Sequence, residues 1–237
     1  MVSGVSVVIP VCNEAGIISE NSRKILDYVL SITPDCEIVF VENGSTDDTL
    51  SVIESLSSKE PRIRYLSTGF KDLGEALSRG FRAARYSLIV WYPIDLAFNL
   101  SFISDCVRLS QDCDIILGSK THKDSKQVRP KGRILLSKAY NTMTRLLFGL
   151  RFSDTQSVKA FRREPLMRIL DKTISRGIVF EVELLINAAD AGLKVCEIPV
   201  EVRDTRTDSK IDLRVVFNAF VSLFKLKARM FFWRSSS

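Results

Sequence analysis

The sequence predicts an α/β fold built on a mostly parallel β-sheet flanked by helices. Short apolar runs rich in Val and Ile alternate, through the first half of the chain, with segments of helical periodicity. This alternation is typical of βαβ units, in which a helix connects two parallel strands. With 237 residues and 46% hydrophobic content, the chain is long enough to bury a core without metal or disulfide support.

The first half supplies alternating predicted strands and helices. The strands are short apolar runs at residues 5–10, 36–42, 63–67, 87–92 and 114–119. The helices have apolar residues at helical spacing, and they span residues 17–31, 49–58, 73–84 and 99–110. Asn13 and Asn99 are candidate N-caps, because an Asn side chain accepts the first free N–H groups of a helix.

The alternation weakens after residue 120, where residues 120–131 predict a polar loop. The later predicted elements are helices at 134–150, 165–174 and 179–191, strands within 154–163 and at 195–202, and a polar loop at 203–210. Pro165 suits a first helical turn and Gly192 a helix end. Because no repeat or linker is present, we predict one domain over residues 1–212, followed by an amphipathic helix at 213–237.

The net charge of +6 is distributed unevenly along the chain. Residues 1–119 contain 10 Lys or Arg and 16 Asp or Glu, residues 120–151 contain nine and one, and residues 203–237 contain eight and three. Two basic segments therefore follow an acidic half. Such segments are compatible with a solvated surface, a phosphate-bearing ligand, anionic lipid or nucleic acid. The lack of interleaved aromatic residues or a known binding module argues against nucleic acid.

The cysteines and the missing motifs exclude several classes of protein. The five cysteines form no CxxC pair and His122 is the only histidine, which argues against a Cys/His zinc site. An odd number of cysteines without a regular framework predicts reduced thiols in a cytosolic chain. The motifs GxGxxG, GxxxxGK[ST] and GxSxG are absent, which argues against nicotinamide dehydrogenases, P-loop NTPases and Ser-His hydrolases. Neither a signal peptide nor a transmembrane helix is predicted.

Polar residues follow several predicted strands at the point where each strand ends. Glu14 follows the first strand, Glu42 and Asn43 lie at the end of the second, and Asp95 follows the fourth. Ligands of open parallel sheets bind outside the carboxyl ends of the strands. Each residue alone is compatible with a turn or cap, but together on one edge they predict a binding site.

Two segments resemble the opening motifs of family 2 glycosyltransferases of the GT-A fold. They are residues 7–14, VVIPVCNE, and residues 41–49, VENGSTDDT. Later segments are similar to the dolichyl-phosphate mannose synthase-like branch, which includes polyprenyl-phosphate glucosyltransferases. These segments lie at residues 74–80, 118–120, 133–137, 154–163, 180–183, 197–199 and 206–210. Their order extends the resemblance over most of the chain.

The resemblance implies inverting transfer of a sugar from a nucleotide sugar, such as GDP-mannose or a UDP-sugar, to a polyprenyl or dolichyl phosphate. The implied base and ribose pocket is lined by Pro10, Cys12, Glu14, Glu42 and Asn43. Cys12 stands where Tyr is usual, and Glu42-Asn43 replaces a pair of Asp residues. Both changes affect which base the pocket reads.

The resemblance also implies an acceptor site in the basic segment. It assigns Lys120, Arg133 and Ser137 to the acceptor phosphate, and Asp154 and Gln156 to a positioning role. Lys120 stands where Arg is usual. A guanidinium that can bind a phosphate through two parallel hydrogen bonds is therefore replaced by a compact ammonium group. Taken alone, each basic residue is better explained by surface solubility, but the position of these residues in the basic segments favours a phosphate site.

The metal motif is reduced relative to the family. The family reads DADLxH after the fourth strand, and its two Asp residues hold Mg²⁺ or Mn²⁺ against the diphosphate. Here Pro93 and Ala97 replace two of the polar positions and Asp95 remains. Arg206 and Lys210 match positions that close over the donor diphosphate. Three outcomes are open: an ion held mainly by the donor, replacement of the ion by Lys or Arg, or loss of catalysis, which gives a silent regulatory or scaffolding subunit that binds nucleotide sugar.

The C-terminal segment predicts an amphipathic helix. One stripe is polar and most of the remainder is apolar, the stripe being Arg214, Asn218, Ser222, Lys225 and Arg229. The helix is compatible with packing on the core or a partner, or with a position in the headgroup region of a membrane. Because a polyprenyl acceptor resides in a membrane, the resemblance favours the second interpretation and a peripheral protein at the cytoplasmic face.

Overall fold

A computed structural model describes residues 3–203 and 213–234. Its strands are β1 (Val5–Val11), β2 (Cys36–Glu42), β3 (Ile63–Ser67), β4 (Leu88–Trp91), β5 (Ile115–Ser119), β6 (Lys126–Val128), β7 (Lys159–Arg162), β8 (Val195–Pro199) and β9 (Glu201–Arg203). Its helices are α1 (Ala15–Leu30), α2 (Thr49–Lys59), α3 (Leu73–Ala83), α4 (Ser101–Leu109), α5 (Lys131–Phe148), α6 (Arg163–Leu170), α7 (Val179–Asp190) and α8 (Leu213–Arg234).

The central sheet has the strand order β3-β2-β1-β4-β7-β5-β8. β1 to β4 pair in parallel, β7 is antiparallel to both neighbours, and β5 pairs in parallel with β8. Since β7 alone is reversed, the carboxyl ends of the other strands and the amino end of β7 meet at one edge. The predicted α/β fold with a mostly parallel sheet is confirmed.

Side chains of the central strand β1 enter cores on both faces of the sheet. Val7 and Ile9 pack with Ile18 of α1, whereas Val8 packs with Leu77 of α3. The three β1 side chains are fully buried. Burial on both faces explains why the strand reads as a continuous apolar run rather than an alternating one.

The predicted elements before residue 120 agree with the structure within about two residues, and the clearest errors lie after it. The predicted loop 120–131 contains β6, which pairs in parallel with β9 in a separate two-stranded sheet. The predicted strand 195–202 is divided at Val200 into β8 and β9, which belong to different sheets. β6 was not recognised because both of its end residues are exposed, so it has no apolar pattern.

The two candidate N-caps differ in outcome. Asn13 does not cap α1, because its Oδ1 instead accepts the N–H of Thr46 at 2.8 Å and its own backbone is left-handed, with φ of 58°. Asn99 lies two residues before α4, and its Oδ1 accepts the N–H of Ser101 at 2.9 Å. The side chain of Asn99 thus satisfies a first-turn donor as predicted, although the helix begins later.

A disulfide joins Cys113 and Cys196, whose Cα atoms lie 6.0 Å apart. The prediction of reduced thiols is therefore wrong for this pair. Cys113 precedes β5 and Cys196 lies in β8, so the parallel pairing of these strands brings together residues that are 83 positions apart. Cysteine spacing in the sequence carries no information about such a long-range pairing. Cys12, Cys36 and Cys106 are free.

Helix α8 packs one face on α5 and α7. Leu223 and Leu226 are buried in a third core with Tyr140 of α5, and Arg229 Nη2 lies 2.7 Å from Glu183 Oε1 of α7. The opposite face exposes three phenylalanines at seven-residue intervals, which we call the Phe stripe: Phe217, Phe224 and Phe231. The helix therefore packs on the core and still presents an apolar stripe.

The described helices include none that combines the length and apolar character needed to cross a bilayer. Residues 204–212, which include Arg206 and Lys210, lie outside the described part of the chain. The proposed boundary between a domain at 1–212 and a helix at 213–237 stays a prediction.

Candidate functional site

Most of the predicted site residues lie at the edge of the sheet where the parallel strands end. Ligands of such sheets bind outside this edge. The predicted residues located in or directly after these strands are Pro10, Cys12, Glu14, Glu42, Asn43, Asp95 and Lys120. The strand order therefore places the predicted donor-side and acceptor-side residues along the same edge of the sheet.

Hydrogen bonds join the turn after β1 to the turn after β2. The N–H of Asn13 donates to Ser45 Oγ at 3.1 Å, and the N–H of Glu14 donates to Thr49 Oγ1 at 2.8 Å. In the opposite direction, the N–H of Thr46 donates to Asn13 Oδ1. These bonds hold the segments VVIPVCNE and VENGSTDDT side by side as one surface.

Glu42 organises the turn after β2. Its Oε2 accepts the hydroxyl of Ser67 at 2.6 Å and its Oε1 accepts the N–H of Ser45. Burial would raise the pKa of Glu42, but the hydrogen bonds from Ser45 and Ser67 outweigh it and lower the pKa. Glu42 is therefore an ionised carboxylate whose oxygens already accept bonds from the protein, and its predicted contact with a nucleotide stays a prediction.

Gly44 and Asn43 connect this turn to α3. Gly44 has φ of +69°, and a Cβ at this position would lie 2.7 Å from the N atom of Lys71. Asn43 is buried, and its Oδ1 accepts the N–H of Asp72 at 2.7 Å. Asp72 in turn caps α3 by accepting the N–H of Glu75 at 2.9 Å. The second predicted donor motif thus also fixes the start of a helix.

Asp95 lies in a tight turn after β4. Its Oδ1 accepts the N–H of Ala97 at 3.1 Å, and Leu96 has a left-handed φ of 53°. The carbonyl of Ala97 accepts the N–H of Arg203 at 2.8 Å. The chain therefore leaves β9, towards residues 204–212, beside the turn that carries Asp95.

Lys120 and Asp154 form a buried ion pair on the other side of β4. Lys120 Nζ lies 3.0 Å from Asp154 Oδ2, and the N–H of Lys120 donates to the same oxygen at 3.0 Å. Burial opposes ionisation of Asp154, but the charge and hydrogen bonds of Lys120 lower its pKa. Burial lowers the pKa of Lys120. Lys120 is thus a paired cation, and Asp154 holds it in place.

A second buried ion pair lies beside the first. Lys159 Nζ bonds to Glu181 Oε2 and lies 4.7 Å from the ring centroid of Trp91. Burial raises the pKa of Glu181, although the charge of Lys159 opposes this effect. Sequence analysis identifies neither residue individually. One sequence signal could have identified this pair. Lys159 lies in the apolar segment VKAF and Glu181 in the apolar segment FEVEL, and a charged residue buried among apolar neighbours requires a partner of opposite charge.

Arg133 and Ser137 lie four residues apart on α5 and therefore share one face of the helix. Both side chains are half-buried. α5 is joined to the loop at residues 149–158, which we call the acceptor-side loop, through Asn141, whose Nδ2 donates to Asp154 Oδ1 at 3.0 Å. The predicted acceptor residues thus lie on two elements, Lys120 directly after β5 and Arg133 and Ser137 on α5. Both elements are bound to the carboxylate of Asp154.

The turn at Asp95 offers a divalent ion one carboxylate. Within residues 3–203 and 213–234, no group of three or more His, Cys, Asp or Glu side chains could hold a metal ion. Carboxylate oxygens are the ligands that Mg²⁺ takes, and one is sufficient when substrate phosphates and water complete the shell. The site therefore fits an ion that arrives with a diphosphate, and it does not fit an ion held by protein groups alone.

Comparison with known proteins identifies the family of the chain and several relatives. Residues 6–170 match the family described as glycosyl transferase family 2. Glycosyltransferase AglD of Haloferax volcanii is 33% identical over 215 residues, which cover 88% of this chain and 34% of AglD. Polyprenol monophosphomannose synthase of Mycolicibacterium smegmatis is 32% identical over 206 residues, which cover 82% of this chain and 75% of the synthase. The chain thus spans about a third of AglD.

A solved structure shares the fold. Glucosyl-3-phosphoglycerate synthase from Mycobacterium tuberculosis, crystallised with Mn²⁺, UDP-glucose and phosphoglyceric acid, superimposes with a TM-score of 0.64. It is 20% identical, and the match covers 93% of this chain and 79% of that one. This likeness shows a common fold.

Proposed function

The chain belongs to glycosyl transferase family 2, and we propose that it transfers a sugar from a nucleotide sugar to a polyprenyl phosphate with inversion at the anomeric carbon. The observation that carries the proposal is the shared sheet edge, where the donor motifs and the basic acceptor-side residues adjoin. Similarity to a polyprenol monophosphomannose synthase supports a lipid phosphate as the acceptor. GDP-mannose or a UDP-sugar is the proposed donor.

The donor-side turns bind and orient the nucleotide. We assign Pro10, Cys12, Glu14, Glu42 and Asn43 to the base and ribose pocket. The cross-linked turns after β1 and β2 support this assignment, because they hold these residues on one preorganised surface. Preorganisation reduces the entropic cost of ordering a bound nucleotide.

Stabilising the departing nucleoside diphosphate is the demanding step, since two phosphates carry the released charge. Asp95 would supply one oxygen ligand to Mg²⁺ or Mn²⁺, and such an ion supplies positive charge next to the diphosphate when bound. We assign Arg206 and Lys210 to the same diphosphate by resemblance to the family. Their cationic groups would stabilise charge that develops as the sugar–oxygen bond breaks.

The acceptor phosphate acts as the nucleophile. With a second pKa of about 6, a phosphate monoester already carries most of its charge at pH 7, so no strong general base is required. Its oxygen attacks the anomeric carbon opposite the departing diphosphate, which inverts that centre. We assign Lys120, Arg133 and Ser137 to binding this phosphate, with Asp154 holding Lys120 in position.

We further propose that α8 lies against the membrane that holds the acceptor. Phe217, Phe224 and Phe231 are 67%, 53% and 66% exposed, and Lys225 beside them is also exposed. An apolar stripe flanked by cations binds in the headgroup region of anionic membranes. Co-sedimentation with vesicles containing anionic lipid should therefore be reduced by a Phe224→Ser, Phe231→Ser double variant; unchanged binding would contradict this placement.

The cytoplasmic face of the membrane is the proposed location, as a peripheral protein. The disulfide between Cys113 and Cys196 counts against a reducing compartment, where such bonds are rare. Acid quenching of intact cells followed by denaturation, alkylation and mass spectrometry separates the two possibilities, since denaturation exposes Cys113, which is buried in the folded chain. Alkylated Cys113 and Cys196 support the cytoplasmic face, and a protected pair refutes it.

The proposed reaction is tested by transfer of radiolabelled sugar to dolichyl phosphate. The assay uses a panel of GDP- and UDP-sugars, with Mg²⁺, with Mn²⁺ and with EDTA. Organic-extractable label that depends on one donor and on the acceptor would support the proposal. Absence of lipid-linked label with every donor and ion would refute it.

A second candidate is a catalytically silent subunit, and Pro93 in place of the usual first Asp favours it. A silent relative would bind nucleotide sugar without transferring it. Thermal shift with the same donor panel distinguishes the candidates, because donor binding without lipid-linked product supports the silent subunit alone.

A further inference from the structure

Asn141 occupies a special position on α5. It follows Arg133 and Ser137 at four-residue intervals, so the three side chains lie along one stripe of the helix. Unlike the two residues before it, Asn141 is buried, with 3% of its surface exposed. It carries no charge and belongs to none of the motifs of the family resemblance.

The amide of Asn141 makes three hydrogen bonds, all to the acceptor-side loop. Its Nδ2 donates to Asp154 Oδ1 at 3.0 Å. Its Oδ1 accepts the backbone N–H of Thr155 at 3.1 Å and the hydroxyl of the same residue at 3.0 Å. The amide orientation is fixed by these partners, because a flipped amide would set its oxygen against the Asp154 carboxylate and its NH₂ against the N–H of Thr155.

Asp154 links α5 to β5 through its two oxygens. Oδ1 accepts from Asn141 of α5, whereas Oδ2 binds both the N–H and the ammonium of Lys120, directly after β5. Asp154 is fully buried, so water does not compete for these bonds. The Asp154 carboxylate and the Asn141 amide therefore connect Lys120 to α5, while Lys120 Nζ also donates to the carbonyl of Gln156.

We propose that Asn141 is a positioning residue that sets the rotation of α5, so that Arg133 and Ser137 face Lys120 around one acceptor phosphate. This inference rests on the proposed function, because it concerns the phosphate site of that reaction. Successive helix residues are about 100° apart, so even a partial rotation of α5 turns Arg133 and Ser137 away from Lys120. Asn141 itself does not touch the phosphate.

The test compares acceptor and donor kinetics in Asn141→Ala and Asn141→Asp. Alanine removes all three bonds, whereas aspartate keeps an acceptor for Thr155 but places a carboxylate against Asp154 Oδ1. We expect the KM for a short soluble acceptor, citronellyl phosphate, to rise about tenfold or more in both variants, with the donor KM changed less than about twofold. A short acceptor removes any contribution from membrane docking.

Thr144→Val is the matched control, because Thr144 is a buried α5 residue whose hydroxyl donates to the carbonyl of Tyr140 within the same helix. It should lower thermal stability and leave the acceptor KM unchanged. Thr155→Val, which removes one of the three bonds, is the milder variant if Asn141→Ala does not fold, and it should shift the acceptor KM in the same direction.

Two outcomes would overturn the inference. Equal rises in donor and acceptor KM would indicate a general structural role, and a wild-type acceptor KM in Asn141→Asp would show that the bond to Asp154 has no positioning effect. Calorimetric binding of citronellyl phosphate separates this failure from failure of the proposed function. If the wild type binds the phosphate and the variants bind equally well, only the role of Asn141 is wrong; if the wild type neither binds nor transfers, the proposed reaction is wrong as well.

Discussion

The two halves of the sheet edge are held together by different interactions. On the donor side, the turns after β1 and β2 are joined mainly by hydroxyl and amide hydrogen bonds, with one further bond from the N–H of Ala15 to the Asp47 carboxylate, and most of these bonds lie near the surface. On the acceptor side, two buried ion pairs, Lys120–Asp154 and Lys159–Glu181, connect β5, β7 and α7. The donor side is thus held mainly by uncharged hydrogen bonds near the surface, and the acceptor side by buried ion pairs.

This difference matters for both stability and function. A turn stabilised by several weak bonds loses little when one is removed, whereas a buried charge that loses its partner is strongly destabilising. The acceptor side should therefore be the more sensitive half to single substitutions. Because burial lowers the pKa of Lys120, the acceptor side should also be the half whose activity responds to alkaline pH.

The largest effect is expected for Asp154→Ala. The substitution leaves the Lys120 ammonium buried without its partner, so the free energy of unfolding should fall by about 3–5 kcal/mol. Glu42→Gln on the donor side is the comparison, with an expected loss of about 1 kcal/mol, since the hydrogen bonds to Ser45 and Ser67 are weakened rather than removed. Urea unfolding followed by circular dichroism measures both, and equal losses would contradict the contrast between the halves.

Asp95→Ala should impair activity rather than stability. Loss of the carboxylate at the diphosphate should lower the transfer rate by about 100-fold or more. Asp105→Ala is the matched control, because Asp105 lies on the surface of α4 and pairs only with Arg108 among the described contacts. Initial rates at saturating donor decide the outcome, and an unchanged rate in Asp95→Ala would remove this residue from the mechanism.

Gly44→Ala tests the geometry of the donor side. The left-handed φ of +69° and the close approach to Lys71 should together cost about 1–3 kcal/mol of unfolding free energy. Gly69→Ala measures the cost of the left-handed backbone alone, because Gly69 has φ of +73° with nothing within 4 Å of the added Cβ. A smaller loss for Gly44→Ala than for Gly69→Ala would refute the importance of the close approach.

The smallest effect is a shift in pH dependence for Lys120→Arg. Burial lowers the pKa of Lys120, so the ammonium loses its proton below pH 10.5 and activity should decline there as pH rises. Arginine keeps its charge up to a pKa of about 12 or higher, so the alkaline limb of the rate profile should move to higher pH in the variant. Rate profiles over pH 7–10 measure this shift, and superimposable alkaline limbs would exclude Lys120 as the titrating group.

The donor side could be predicted well from the sequence. β2 and β3 have the predicted bounds, and the motifs around Glu14 and Glu42 lie together at the edge as expected. The reason is physical: buried parallel strands are continuous apolar runs, and the turns between them have local polar signatures. Each signal is contained within a short stretch of chain.

The acceptor side could be predicted only in part. Lys120 and Asp154 were recognised through the family resemblance, but their pairing, and that of Lys159 with Glu181, depends on contacts between residues distant in sequence. Asn141 had no signal, since an Asn in a helix is compatible with simple solvent exposure. β6 was missed for a related reason, because it is recognised only by its pairing with β9.

The bond between Cys113 and Cys196 makes the acceptor half a covalent ring. Lys120, Arg133, Asp154 and Glu181 all belong to this ring, whereas every donor-side turn lies outside it. In the chain-entropy account, a loop of this length restricts the unfolded chain by about 4–5 kcal/mol. A protease that nicks any single site within the ring therefore leaves both fragments attached, and the chain keeps its full mass on a gel until the bond is reduced.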